Sequence, residues 1–342
     1  MGNKGGKLCS IALASSVLVF VFLVLISAAA SAAQITKIGT GYDPAVYGDK
    51  VVWTNGGVVI HLYDLTNRTG IRFSSSGGAS SPDIYENKIV WHDESIGTPR
   101  IAVYDISTAT KSYITQEVDQ YSRPAVYDNR IVWSANDSVY LRDISNSTQE
   151  KIGNGTNPDI YDTKVVYYSY SEDPEADITI RMYDIDTGGE RKTVVSYGDP
   201  NIPRIWDTRV IWSDVYNHQG YIAMYDILTE NITDVTHPLD ADPDGNEYGA
   251  STGTHISIQD DKIVYNKCVD DYEGKPGGVY LYNISAGQST LIYGYPEEVY
   301  TTPEVYNNTI VWGGLDRNYV DGTSGNDIYL CDLAAGPEIS QT

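Results

Sequence analysis

The chain has 342 residues, with 23 Lys and Arg set against 46 Asp and Glu, for a formal net charge of −23. That balance excludes nucleic acid as a partner and argues against docking on an anionic membrane, since both need a basic face. Apolar residues at 41% and charged residues at 20% describe a globular chain rather than a disordered one.

Residues 1–33 read as a targeting segment. Lys4 and Lys7 form a basic start, residues 8–26 are almost wholly apolar, and Ala30-Ser31-Ala32 offers a small-residue cleavage site. The apolar run nears the length that spans a bilayer, so the segment is either a cleaved signal peptide or a retained N-terminal anchor. Cys9 lies at the start of that run rather than after it, and so is not the lipid-bearing Cys of a lipoprotein signal. Residues 34–342 are then expected outside the cytoplasmic membrane, touching it only through an uncleaved leader. Seven Asn-x-Ser/Thr acceptors fit an external, glycosylated protein: Asn67, Asn136, Asn146, Asn154, Asn231, Asn283 and Asn307. Beyond the leader only Cys268 and Cys331 occur, read either as two buried thiols or as one bridge between neighbouring repeats.

After a strand-like stretch at 34–39, one unit recurs to the end of the chain. It opens with Pro-x-Val/Ile-Tyr, a polar pair, Lys or Arg, two β-branched residues and an aromatic. Copies occupy 44–53, 82–91, 124–133, 158–167, 203–212 and 303–312. A weaker one at 256–265 has Ile256 for Pro and Gln259 for Tyr. Each leads to a second segment ending in a form of Tyr-Asp-Leu/Ile, as at Tyr63-Asp64-Leu65 and Tyr104-Asp105-Ile106. Seven units at about 44 residues each match the size of a propeller blade.

The first unit shows the four strands expected of each. Residues 45–47 form inner strand a, Gly48-Asp49 a tight turn, 51–53 strand b, 58–63 strand c and 70–73 strand d. The recurring Asp is placed to accept nearby backbone N–H groups and close the following turn. No unit has a helical period, so the chain reads as all-β. The seventh unit ends soon after Leu333 with no strand d of its own, and the spare strand at 34–39 is expected to complete it. The fold expected is a single-domain, seven-bladed β-propeller of four-stranded antiparallel blades over 34–342, its ring closed by the N-terminal strand.

The repeat resembles those of archaeal, particularly methanogen, cell-surface β-propellers within the TolB-like group. That resemblance implies a secreted or surface-layer-associated protein and supplies no catalytic residue to transfer.

Residues present in every unit are expected to build blades, so Trp53, Trp91, Trp133, Trp212 and Trp312, with Trp206 in the Tyr register of the fifth unit, read as packing between blades. Function is expected where the pattern breaks. The a–b turns are uniform, whereas the b–c connections vary in length and carry acids: Glu172, Asp173, Glu175 and Asp177; Asp270, Asp271 and Glu273; Asp316, Asp321 and Asp327. A protein or glycan ligand is therefore expected on the face formed by b–c and d–a connections. One such connection holds Asp240, Asp242 and Asp244 at alternate positions, then Gly245 and Asn246. It reads as either a Ca²⁺ loop or a plain acidic connection, since Ser251 stands where a bidentate acid completes an EF-hand. The five His, at 61, 92, 218, 237 and 255, form no ligand motif, and no nucleophile elbow occurs. The reading is an exported binding module without a catalytic motif. A polysaccharide lyase or hydrolase on the same scaffold is the alternative.

Overall fold

The computed structural model describes residues 34–74, 77–114, 118–119, 122–169, 179–195, 201–216, 219–236, 252–267, 277–295, 301–315 and 326–335. They form seven antiparallel four-stranded sheets. Six are simple meanders of consecutive strands, and strand a of each blade touches strand a of both neighbours around the ring. The chain is a seven-bladed β-propeller.

Local chemistry accounts for the repeated residues. The first residue of the a–b turn is left-handed in every blade, with φ between 49° and 61° at Gly48, Glu86, Asp128, Asp162, Asp207, Asp260 and Asn307. The second turn residue offers its carbonyl to the last residue of the Tyr-Asp-Leu/Ile segment. Leu65 N–H donates to Asp49 O at 2.8 Å and Ile106 N–H to Asn87 O at 2.7 Å, with the same bond in the other five blades. The motif's Asp closes the c–d turn as expected. Asp64, Asp105, Asp143, Asp184 and Asp226 each accept a backbone N–H two or three residues on, at 2.8–3.2 Å, and Asn283 does so at 2.6 Å in the sixth blade; in the seventh, where no c–d turn follows, Asp332 accepts the Ala334 N–H at 2.8 Å.

Seven apolar clusters hold the blades together, one at each seam. Each contains the strand b aromatic of one blade packed on the preceding blade. Trp91, Trp133, Tyr167, Trp212 and Trp312 are almost wholly buried in this way, with Tyr265 and Trp53 close behind. Trp133, for example, fills the space against Val90, Ile101, Val103 and Ile114. The packing role assigned to the Trp residues is thus observed.

The ring closes through the N-terminal strand. Gln34–Thr40 pairs antiparallel with Asn326–Asp332, from Gln34 opposite Asp332 to Thr40 opposite Asp327, with one bulge between Lys37 and Gly39. It takes the outermost place in the seventh sheet. Gly39 leaves room there for Trp53, since a Cβ would meet that indole at 2.4 Å, and Trp53 Nε1 donates to Thr40 O at 3.1 Å.

Two expectations need correction. Asp327 is not part of an exposed acidic connection. It lies in strand c of the seventh blade, 4% exposed, and pairs with Lys37 Nζ of the closing strand at 2.6 Å. Strand a also begins before residue 45. It runs Tyr42–Tyr47 in the first blade and Ala79–Tyr85 in the second, because a bulge lets pairing resume ahead of the proline.

Candidate functional site

The innermost strands set the geometry of the central channel. Residues two apart on a strand share a face. The motif's Tyr and the residue just after its Pro therefore line the channel together, in layers.

The first layer is a floor of rings near the a–b turns. Ring centroids follow one another from Tyr306 to Tyr47 (4.6 Å), Tyr85 (4.5 Å), Tyr127 (4.4 Å), Tyr161 (5.0 Å) and Trp206 (4.7 Å). The sixth blade has Gln259 instead. It closes the circle with hydrogen bonds: its Oε1 accepts the Asn307 N–H, while Trp206 Nε1 donates to Asp260 Oδ1 at 3.2 Å. Burial, with hydrogen bonds to the Tyr127 and Tyr47 hydroxyls, raises the Tyr85 phenol well above its usual range, and burial raises Tyr306 to about 12. The Tyr85 and Tyr306 hydroxyls stay neutral across the physiological range.

The second layer breaks the repeat. Around the ring the residue after Pro, or its equivalent, is Ala45, Asp83, Ala125, Asp159, Arg204, Ser257 and Glu304. Part of this layer is structural. Asp83 Oδ2 accepts the Val126 N–H of the next blade at 2.8 Å, Asp159 Oδ2 accepts the Ile205 N–H at 2.8 Å, and Ser257 Oγ accepts the Val305 N–H at 3.4 Å. Each ties one inner strand to the next. Arg204 instead donates from Nε to Ile256 O at 3.2 Å and from Nη2 to Glu304 Oε1 at 3.3 Å, reaching a blade two places on.

The third layer comes from residues before the proline. In four blades these sit at positive φ, 48° at Asp43, 49° at Ser81, 50° at Asn157 and 43° at Ile202. For β-branched Ile202 this is a strained conformation, of order 1–3 kcal/mol. Arg123 of the third blade reaches Asp43 of the first, 3.8 Å from Nη2 to Oδ1, and His255 of the sixth, 3.4 Å from Nη1 to Nδ1. Side chains thus meet across the channel mouth. A cavity of about 140 Å³ remains, lined by both upper layers and the ring floor.

Burial and crowding shift these groups together. Burial pushes Asp83 up to about 7 against the opposing Val126 N–H bond, and the charges of Asp159 and Glu304 add to the rise. Burial likewise raises Asp159 and Glu304, both opposed by the Arg204 charge. Burial and the charges of Arg123 and Arg204 lower His255 to about 3, so it is neutral.

Other expected site residues lie elsewhere. The loop with Asp240, Asp242, Asp244 and Asn246 falls outside the described residues. So do the acids at 172–177, 270–273, 316 and 321, and His218, His237 and Cys268. All seven Asn acceptors are exposed. His61 stacks on Trp53 at 5.1 Å, and His92, 1% exposed, faces Ser80 Oγ from Nδ1 at 3.3 Å. Neither borders the channel cavity. Cys331 is a buried free thiol, raised by burial to about 11. Among the described residues no three His, Cys, Asp or Glu converge as a metal site. The channel residues escaped the sequence reading, which sought irregularity in connection lengths. The signal was the variable x of Pro-x-Val/Ile-Tyr.

No protein-family model matches the chain, and no curated protein sequence does. Solved structures do. The β-propeller domain of the Trilobed protease from Pyrococcus furiosus is 14% identical, with 89% of this chain and 94% of that one covered and a TM-score of 0.62. Oligogalacturonate lyase from Vibrio parahaemolyticus is 12% identical, covering 88% and 94%, also at 0.62. Acylaminoacyl peptidase from Pyrococcus horikoshii is 12% identical at 0.60, covering 86% of this chain and 51% of that one. At such identities the likeness establishes the propeller fold and no activity. The finer resemblance to methanogen surface repeats has no family match behind it.

Proposed function

We propose that this chain is an exported β-propeller, at the cell surface or secreted, that binds its ligand at the central channel and the adjoining b–c and d–a connections. The observation behind this reading is where the symmetry fails. Turn, seam and floor positions repeat almost unchanged through seven blades. The channel wall above the floor carries five residue types in seven blades, several of them charged and incompletely paired. Mixed polar groups converging on a cavity are the usual build of a small-ligand site. Surface-layer association and use of the Asn acceptors are parts of the same proposal, supported by the leader-like segment and the exposure of those residues.

The test is a screen of glycans, peptides and small charged molecules against wild type and Thr302→Trp, a bulky substitution at a residue that lines the cavity. A ligand bound equally by both would move the site out of the channel. For the loop at Asp240, Asp242 and Asp244 we propose Ca²⁺. Unchanged melting of the wild type in millimolar Ca²⁺ would dismiss it.

One observation favours a second reading, a polysaccharide lyase or hydrolase. Asp83, poised near neutrality in a cavity, has the character of a general base. Release of unsaturated or reducing ends from acidic polysaccharides, lost in Asp83→Asn, would establish it; no turnover would leave the binding reading.

A further inference from the structure

Among the described residues, the channel does not balance its own charge. Its upper wall holds four carboxylates, Asp43, Asp83, Asp159 and Glu304, against two guanidinium groups, Arg123 and Arg204, while His255 is neutral. Arg204 is shared among Asp83, Asp159 and Glu304 and spends its close contact on Glu304 at 3.3 Å. Asp83 and Asp159 each use one oxygen on a neighbouring N–H and, among the described residues, have no short contact to a cation. Beneath them lies the ring floor, whose faces attract positive charge.

We propose, resting on the channel-binding reading above, that the ligand is a small organic cation of the aliphatic amine class, its ammonium held between Asp83, Asp159 and the ring floor. An ammonium donates up to three hydrogen bonds and tolerates the aromatic surface. A bare metal ion fits less well, since no three acids or His converge on one point among the described residues. Without ligand, one of the two excess charges is met by a proton on Asp83. The groups facing that carboxyl are Asp159, Glu304 and Arg204, with Val126 N–H donating to it and the Tyr85 and Tyr127 rings below. An arriving ammonium takes the place of the proton, which leaves to solvent. Binding therefore releases protons and tightens as pH rises from about 6 to 8.

Calorimetry of the full chain with 1,4-diaminobutane tests this in buffers of different ionisation enthalpy. The expected result is saturable binding, with net proton release at pH 6.5 and affinity at least tenfold weaker in Asp83→Asn. The amide oxygen introduced by that substitution would still accept the Val126 N–H, so the variant retains the link between blades. Asp128→Asn, in an a–b turn, should bind as wild type does. Binding without proton release, or binding unchanged in Asp83→Asn, would overturn the assignment to this wall. No binding at millimolar diamine would overturn the amine class itself. In that case galacturonate binding lost in Arg123→Gln would keep the channel as the site with a ligand of opposite charge. Ca²⁺ binding that is lost in Asp83→Asn, and so lies in the channel rather than at the Asp240 loop, would refute the class in the same way.

Discussion

Aspartate does opposite work in two regions of this propeller. In the c–d turns Asp105, Asp143 and Asp226 sit near solvent, accept several hydrogen bonds and are held below their usual pKa. For Asp143 the Ser145 hydroxyl contributes most and the Ser145 and Asn146 N–H groups add to it, while for Asp226 the Thr229 N–H leads. In the channel, Asp83 and Asp159 lose more by leaving water than their backbone N–H partners, and for Asp159 the Arg204 charge, return, and both are raised. Turn acids are bonded as ions and stabilise the fold. The channel acids are held where ionisation is opposed, which is a cost to the fold and an opening for a ligand.

The sharpest test of the scaffold side is to remove its closure. Without residues 34–40 the seventh sheet loses its outer strand, Asp327 loses Lys37 and Trp53 loses the Thr40 carbonyl. Loss of cooperative unfolding, or association through the bared edge, is expected in sedimentation and thermal melts. A monomer with unchanged melting would show that the closing strand is dispensable. Next in size is Trp133→Ala, which empties the seam between the second and third blades at a cost of about 3–5 kcal/mol. Urea denaturation measures it, and a value under about 1 kcal/mol would deny that the seams carry the stability.

Asp83→Asn takes the comparison into the channel. Its folded pKa of about 7 exceeds the ordinary carboxyl value of 3.8, so between those limits the native state binds more protons than the unfolded chain. Wild-type stability from this group is full below pH 4 and falls as pH rises towards 7. Removing the charge should therefore stabilise the protein at pH 8, by about 2–4 kcal/mol, and change little at pH 4. Equal effects at both pH values would mean that Asp83 is ionised throughout.

Much of this was legible in the sequence, for a physical reason. Seven blades pose one packing problem seven times, so the Trp register, the turn residues and the turn-closing Asp each recur and announce their roles. The missing seventh strand d and the spare strand at 34–39 could be matched because a sheet edge must be covered. The channel was harder to see. Strand a packs floor, wall and mouth positions into six residues, and its most informative position is the one that does not repeat. Asp83, Arg204 and Glu304 look like ordinary variation until the ring places them opposite one another. Asp327 misled for the complementary reason: an acid beside a long variable stretch reads as exposed, and only the closing strand supplies Lys37 to bury it.

The smallest expected effect gives the cleanest contrast. Asp143→Ala removes an acceptor that takes the Ser145 N–H at 2.8 Å, the Ser145 hydroxyl at 2.5 Å and Asn146 Nδ2 at 3.3 Å. These are solvent-near bonds, so the loss should be about 0.5–1.5 kcal/mol at pH 7. The sign of its pH dependence is the reverse of that for Asp83. A carboxylate held low in the native state stabilises above the unfolded pKa, and that stability is lost as pH falls through the folded value. The penalty for Asp143→Ala should accordingly be constant from pH 8 to 5 and shrink towards zero below pH 4, the range in which Asp83→Asn has also lost its effect. Denaturation midpoints of both variants across pH 3–8 would then give one curve flat until acid and one climbing from pH 4 to 7. Two curves of the same shape would mean that channel and turns hold their aspartates in the same way, and the case for a ligand site in the channel would lose its electrostatic basis.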